Sequence, residues 1–186
     1  MASFAISRLV FGAKKIARVY FVMGMMVPIQ SIIVPLAFAA SQFRLRDNYL
    51  ILVLLYAAFY MPMSIFVLTG FMSNLPRSLE EAAVIDGYSM YGVFRYIILP
   101  LSRPAMATVS IFVFMYCWND LLTPMVFIGK ETMRTVSVGL LNFMGAHNSD
   151  YGGLMAAVFI ALLPPLLLYI FTQENVIKGI TSGADK

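Results

Sequence analysis

The chain has 186 residues, 61% of them hydrophobic and 12% charged, with a net charge of +4 and a mean hydropathy of +0.84. A soluble domain of that length cannot hide so much apolar side chain, so the composition belongs to membrane proteins. The single cysteine, Cys117, excludes an intrachain disulfide and any redox or zinc motif, and in an apolar run it reads as packing.

The N-terminal stretch MASFAISRLVFGAKK has no basic lead into an apolar core with a small-residue cleavage site, so it does not read as a signal peptide. Residues 19–40 are a charge-free run that meets the length of about 20 helical residues a hydrocarbon core requires. A second run covers 49–72, a third 105–128, interrupted only by Asp120, and a fourth 151–173. All are too long for buried strands, and the short alternating segments of a barrel are absent. The expected fold is all-α, a polytopic helical membrane protein with four transmembrane helices in a single domain over 1–186. Pro28, Pro35, Pro62, Pro164 and Pro165 lie inside the runs, where neighbouring helices can satisfy the freed carbonyls. Kinked helices follow, with the prolines shaping packing or forming a hinge.

Residues 77–100, between the second and third runs, carry Glu80, Glu81, Asp86 and Arg95. Ser78 with Glu81 three residues on is a capping box, which predicts a short helix through Ala82, Ala83 and Ile85. Gly87 closes it by taking a left-handed conformation, and Ser89 caps a second helix toward Ile98 that Pro100 and Pro104 stop. The product is a water-facing helical hairpin, a docking surface for a soluble partner.

Within the third run, Trp118-Asn119-Asp120 stands out because Asp120 is the only acidic residue in a predicted span. Asn119 and Asp120 can offer hydrogen-bond acceptors, and Trp118 a stacking face, to a polar ligand in a wet cavity. Equally, the triplet can serve an interhelical polar contact with Trp118 as an interfacial anchor. Beyond this run, Val136, Leu140, Phe143 and Met144 mark one face of an amphipathic helix within 132–145, lying at the interface under an external partner or as a lid. His147 then reads as an exposed loop residue, with no second ligand for a metal. The polar tail from Gln173 reads as a frayed end.

Lys and Arg fall unevenly. The termini and the 77–100 hairpin share a side that holds Arg8, Lys14, Lys15, Arg18, Arg77, Arg95, Arg103, Lys178 and Lys186; the other side holds Arg44, Arg46, Lys130 and Arg134. The positive-inside rule puts the richer side, with both termini, in the cytoplasm. No phosphate loop of the G-x-x-x-x-G-K-[ST] kind occurs, and no paired carboxylates or Ser/His/Asp set can be assembled, so catalysis on this chain is not expected. Basic residues flank the spans rather than interleave with aromatics, which argues against nucleic acid.

The spacing Glu81-Ala82-Ala83, three residues, Gly87, nine residues, then Ile97-Ile98-Leu99-Pro100 resembles the coupling motif of binding-protein-dependent ABC importer permeases. The Trp118-Asn119-Asp120 triplet and the ending Gly-Ile-Thr-Ser-Gly-Ala-Asp-Lys are similar to those of the carbohydrate branch, of the maltose-type kind. The resemblance implies a type I importer permease whose hairpin engages a separate ATPase through Glu81, Ala82, Ala83, Asp86, Gly87, Ile97, Leu99 and Pro100. It also implies a substrate pathway at Trp118, Asn119 and Asp120. The implied partners are a second permease subunit, an ATP-binding cassette ATPase dimer that holds the ATP and Mg, an extracytoplasmic sugar-binding protein and the lipid bilayer, in a prokaryotic plasma membrane. No cofactor is implied on this chain. Family members usually carry six spans, so four spans imply an N-terminally short subunit, with residues 2–9 similar to the end of an upstream helix. A permease for a non-sugar solute and a non-transporting membrane scaffold fragment are the alternatives.

Overall fold

The computed structural model describes residues 1–144 and 150–184, with side chains through 173. Among these residues the fold is all-α, without β-strands. It divides into two compact units. The first comprises residues 1–26, 60–111 and 172–186; the second comprises 27–59 and 112–171.

Two helices match the expected runs. Helix α4 (Tyr49–Asn74) is 26 residues, or roughly 39 Å at 1.5 Å per residue, and continues through Pro62. Helix α10 (Tyr151–Ala184) continues through Pro164 and Pro165 and runs past the expected end at 173. By length and composition these two can cross a membrane, and up to four spans result if each of two bent helix pairs counts as one. Phe159, Ile160, Tyr169 and Phe171 on α10 are all exposed, as lipid-facing side chains would be.

The other two runs are not single helices. The 19–40 run divides into α2 (Lys14–Met25) and α3 (Ile29–Gln42). Pro28 is extended at the N-cap of α3, and a proline disfavours helical geometry in the residue before it, so Val27 cannot carry the helix across. The 105–128 run divides after α7 (Arg103–Asn119), and the short α8 (Leu122–Phe127) follows Asp120.

In the first unit, α1 (Ala2–Arg8) buries Ser3, Phe4, Ile6 and Ser7. It packs on the hairpin formed by α5 (Ser78–Ile85) and α6 (Met90–Leu101). The core there is Phe4, Met72, Ala83, Val93, Phe94 and Ile98, with the Phe4 and Phe94 rings 5.2 Å apart. In the second unit, Ile33 and Ala40 of α3, Ile51, Leu52 and Leu55 of α4, and Phe127 and Ile128 form the core. The stretch after α8 forms a 3-10 turn (Glu131–Met133), a single helical turn α9 (Val136–Gly139) and a further 3-10 turn (Leu140–Phe143). The expected amphipathic helix therefore does not form. Tightening to 3-10 geometry breaks its 3.6-residue period: Val138 is buried, and Val136 and Met144 are exposed. His147 and the side chains of the tail lie outside the described residues.

Candidate functional site: a helical hairpin and a polar triplet

The hairpin is built on its turn. Tyr88 N–H donates to Ala83 O and Gly87 N–H to Val84 O, both at 3.0 Å, the paired bonds of a Schellman motif. Gly87 sits at φ +86°, where a side chain would be strained. Ser89 Oγ then accepts from Gly92 N–H at 3.2 Å and caps α6 as expected.

The start of the hairpin differs from expectation. Ser78 lies inside α5 and makes no capping bond: Glu80 and Glu81 N–H both donate to Arg77 O, so the first turn opens a residue earlier. No capping box forms, because a serine already in the helical first turn cannot turn its hydroxyl back onto the N3 amide. Glu80 and Glu81 still complement the positive helix end, each by about 0.3–1 kcal/mol.

Nor do Pro100 and Pro104 stop α6 at Ile98. The helix runs to Leu101 with Val93–Ile98 in π geometry, where Leu99 N–H donates to Phe94 O five residues back. A π turn is wider than an α turn, and it relieves the clash a proline ring makes with the carbonyl four residues earlier, here that of Tyr96. The chain turns instead at Ser102, whose Oγ donates to Ile98 O at 2.7 Å, and α7 leaves at 68° with Pro104 in its first turn.

One face of the hairpin is sealed. Ala83 is buried, Val93 and Ile98 are fully so, and Ile97, Leu99 and Pro100 are half-buried. The other face exposes Glu81, Ala82, Asp86 and Gly87 beside Val84, Ile85, Tyr88, Tyr91 and Tyr96. Ile85 is 85% exposed, an unusual state for isoleucine in water.

Sequence reasoning missed what seats this hairpin. Arg8 of α1 lies with its Nε 2.6 Å from Glu80 Oε1, and its guanidinium donates to Leu75 O at 2.6 Å. The Nε–Oε1 approach is an ion pair without hydrogen-bond alignment, since neither atom has a hydrogen-bond partner. Lys14 Nζ donates to Ser7 O and Leu9 O and closes α1 from below. The available signal was an arginine in an otherwise uncharged N-terminal helix.

In the second unit, both carboxylate oxygens of Asp120 are engaged. Oδ2 accepts from the Tyr56 hydroxyl at 3.0 Å; Oδ1 accepts from Leu122 N–H at 3.0 Å and Thr123 N–H at 3.3 Å, capping α8. Trp118 Nε1–H donates to Ala161 O at 3.1 Å, Trp118 O accepts from Ser137 Oγ at 2.7 Å, and the indole stacks on Phe114. Asn119 is exposed, its amide donating to Met115 O at 2.8 Å. The triplet thus makes interhelical contacts through Trp118 and Asp120 and presents Asn119. On the same unit, Asp47 accepts from Gly129 N–H at 2.6 Å and Lys130 N–H at 3.0 Å, joining the α3–α4 loop to the loop after α8. Among the described residues, no three His, Cys, Asp or Glu side chains gather as a metal would need.

Residues 2–182 match the family described as the binding-protein-dependent transport system inner membrane component. The chain belongs to this family. The "Putative ABC transporter permease protein ORF2" of Caldicellulosiruptor sp. is 40% identical over 186 residues, 100% of this chain and 68% of the relative. The "Osmoprotective compounds uptake permease protein GgtD" of Synechocystis sp. is 31% identical over 186 residues, 100% of this chain and 62% of its own length. The trehalose/maltose transport system permease protein of Thermococcus litoralis is 33% identical over 188 residues, 100% of this chain and 67% of its own length. The chain therefore spans about two thirds of the length of such relatives. Its relatives are transport permeases rather than enzymes.

Proposed function

We propose that the chain is a permease subunit of an ATP-driven sugar importer, forming half of a translocation pathway with a second permease subunit. The α5–α6 hairpin docks on a separate ATPase dimer, which carries ATP and Mg, and an extracytoplasmic binding protein delivers the sugar. Both termini and the hairpin lie in the cytoplasm, as the distribution of Lys and Arg favours. One observation carries the docking reading: the outer face of the hairpin leaves Ile85, Tyr88, Tyr91 and Tyr96 exposed beside Glu81 and Asp86, a surface with the apolar and aromatic character of a protein interface.

Transmission follows from the packing. Ala83, Val93, Phe94 and Ile98 fix the hairpin to α1 and to the end of α4, so a partner that moves the outer face moves these helices as a body. In the pathway, Asn119 offers its amide to the sugar, and Trp118 and Asp120 hold it in place by their bonds to Ala161 and Tyr56. Sugar is favoured as cargo by the trehalose/maltose name of the Thermococcus relative; the osmoprotective-compound name of the Synechocystis relative favours a second reading, a permease for a non-sugar solute. The test is co-purification with an ATP-binding cassette ATPase of the same organism, co-expressed with this chain. Ile85→Asp is expected to abolish capture while the variant still enters the membrane, and undiminished capture would refute the docking reading.

A further inference from the structure

Helix α2 and residues 60–74 of α4 belong to the first unit. At one end they touch, where a Cβ on Gly24 would meet Pro62 at 3.0 Å. Toward the other they part over a cavity of about 420 Å³, lined by Ile6, Phe21, Val22, Ile65 and Phe66 and, at its polar end, by Arg18, Thr69 and Ser73. The lining is graded. Arg18 stands one turn before Phe21 and Val22 on α2, and Thr69 and Ser73 stand one to two turns after Ile65 and Phe66 on α4, so cation and hydroxyls share one end and apolar side chains the other.

Thr69 lies at that polar end. It is 7% exposed, lines this cavity, and its Oγ1 has no hydrogen-bond partner. A buried hydroxyl without a partner calls for a missing one. We propose that this groove binds an anionic phospholipid, with the phosphate against Arg18, an ester carbonyl accepting from Thr69 and an acyl chain over Phe21, Val22, Ile65 and Phe66. An anionic headgroup is favoured over a zwitterionic one because Arg18 is the charged residue of the lining and no acidic residue lines the groove. Arg8 and Lys14, by contrast, are engaged by Glu80 and by backbone carbonyls. Such a site needs the chain to lie in a membrane and needs nothing of sugar transport.

The test uses the full chain purified in detergent, with native mass spectrometry reading the lipid retained during titration with phosphatidylglycerol, phosphatidylcholine of the same acyl chains, or inorganic phosphate. Phosphatidylglycerol is expected to be retained about fivefold better than phosphatidylcholine, the preference that one membrane-proximal cation confers. Arg18→Gln should erase that preference and Arg18→Lys keep most of it. Gly70→Leu should lower retention of both lipids, because Gly70 also lines the groove and a Cβ there meets nothing within 4 Å, so a larger side chain fills the space. Equal retention of the two lipids by the unaltered chain, or a preference that survives Arg18→Gln, overturns the proposal. Displacement of the lipid by millimolar phosphate also overturns it and assigns the site to a soluble anion. Equal lipid retention by Gly70→Leu also overturns it, because the lipid then lies outside this groove. Because the readout is lipid mass, failure here is distinct from failure of the importer reading.

Discussion

Arg8 and Glu80, 72 positions apart in the chain, form a largely buried ion pair with their side chains 5% and 16% exposed. The pair fastens the first helix to the first turn of the hairpin, and the second bond from Arg8 to Leu75 O holds the linker that leads into it. A segment that looked peripheral is thereby the seat of the surface on which a partner would act.

Removing one member of this pair strands the other charge in a buried site, so Arg8→Met alone should destabilise the first unit by about 3 kcal/mol. The double variant Arg8→Met, Glu80→Leu should recover most of that loss, since two apolar groups of similar volume replace the pair. Hydrogen exchange of the hairpin amides measures both. A double variant as unprotected as the single one would show that the ion pair does not seat the hairpin.

At Gly87 the space around a hypothetical Cβ is open, so substitution meets backbone strain alone. Gly87→Ala should cost about 1–2 kcal/mol at φ +86°, with Gly87→Asn milder and Gly87→Val worse. Faster exchange of the Tyr88 amide, which is bonded to Ala83 O, reports the loss of the turn. On the importer reading, Gly87→Val also separates ATP hydrolysis from uptake, and uptake that survives intact would count against the coupling role.

The three residues of the polar triplet should part company under mutation. Asn119→Ala is expected to leave thermal stability unchanged and reduce solute uptake. Asp120→Ala removes a cap and an interhelical bond at once, and should cost about 2 kcal/mol as well as uptake. Tyr56→Phe should lose about 1 kcal/mol. Uptake unaffected by Asn119→Ala would remove it from the pathway.

The Asp47 clamp should be sensitive to acid. Backbone N–H donors of Lys130 and then Gly129, with the charges of Lys130 and Arg46 adding less, hold its exposed carboxyl below the ordinary value of 3.8. A carboxyl lowered in the folded state contributes stability that is fully present above 3.8 and is lost as pH falls through the lower folded value. Protection of the Gly129 and Lys130 amides should therefore hold at neutral pH and decline only in acid below that range. Asp47→Asn should abolish the pH dependence, and a decline beginning near neutrality would implicate another group.

Much of this protein is legible in its residues alone. The apolar runs at 49–72 and 151–173 became helices because their length and composition leave no other way to satisfy the backbone in lipid. Gly87 and Ser89 were legible for a similar reason, since a left-handed turn and a helix cap are local devices that residue type and spacing specify by themselves. What the sequence left undecided depended on partners distant along the chain or on competition between neighbours. Pro28 rather than Pro62 ends a helix, and the turn at 102 rather than Pro100 ends another, because whether a proline breaks a helix depends on how the surrounding backbone relaxes around it. Ser78 lost its capping role to a helix that started one residue earlier, while Glu80 gained a partner in Arg8 and Asp120 one in Tyr56. Periodicity fixes the length and polarity of a helix, but the contacts of its charged side chains are set only when the chain folds back, so those pairings belonged to the tertiary structure alone.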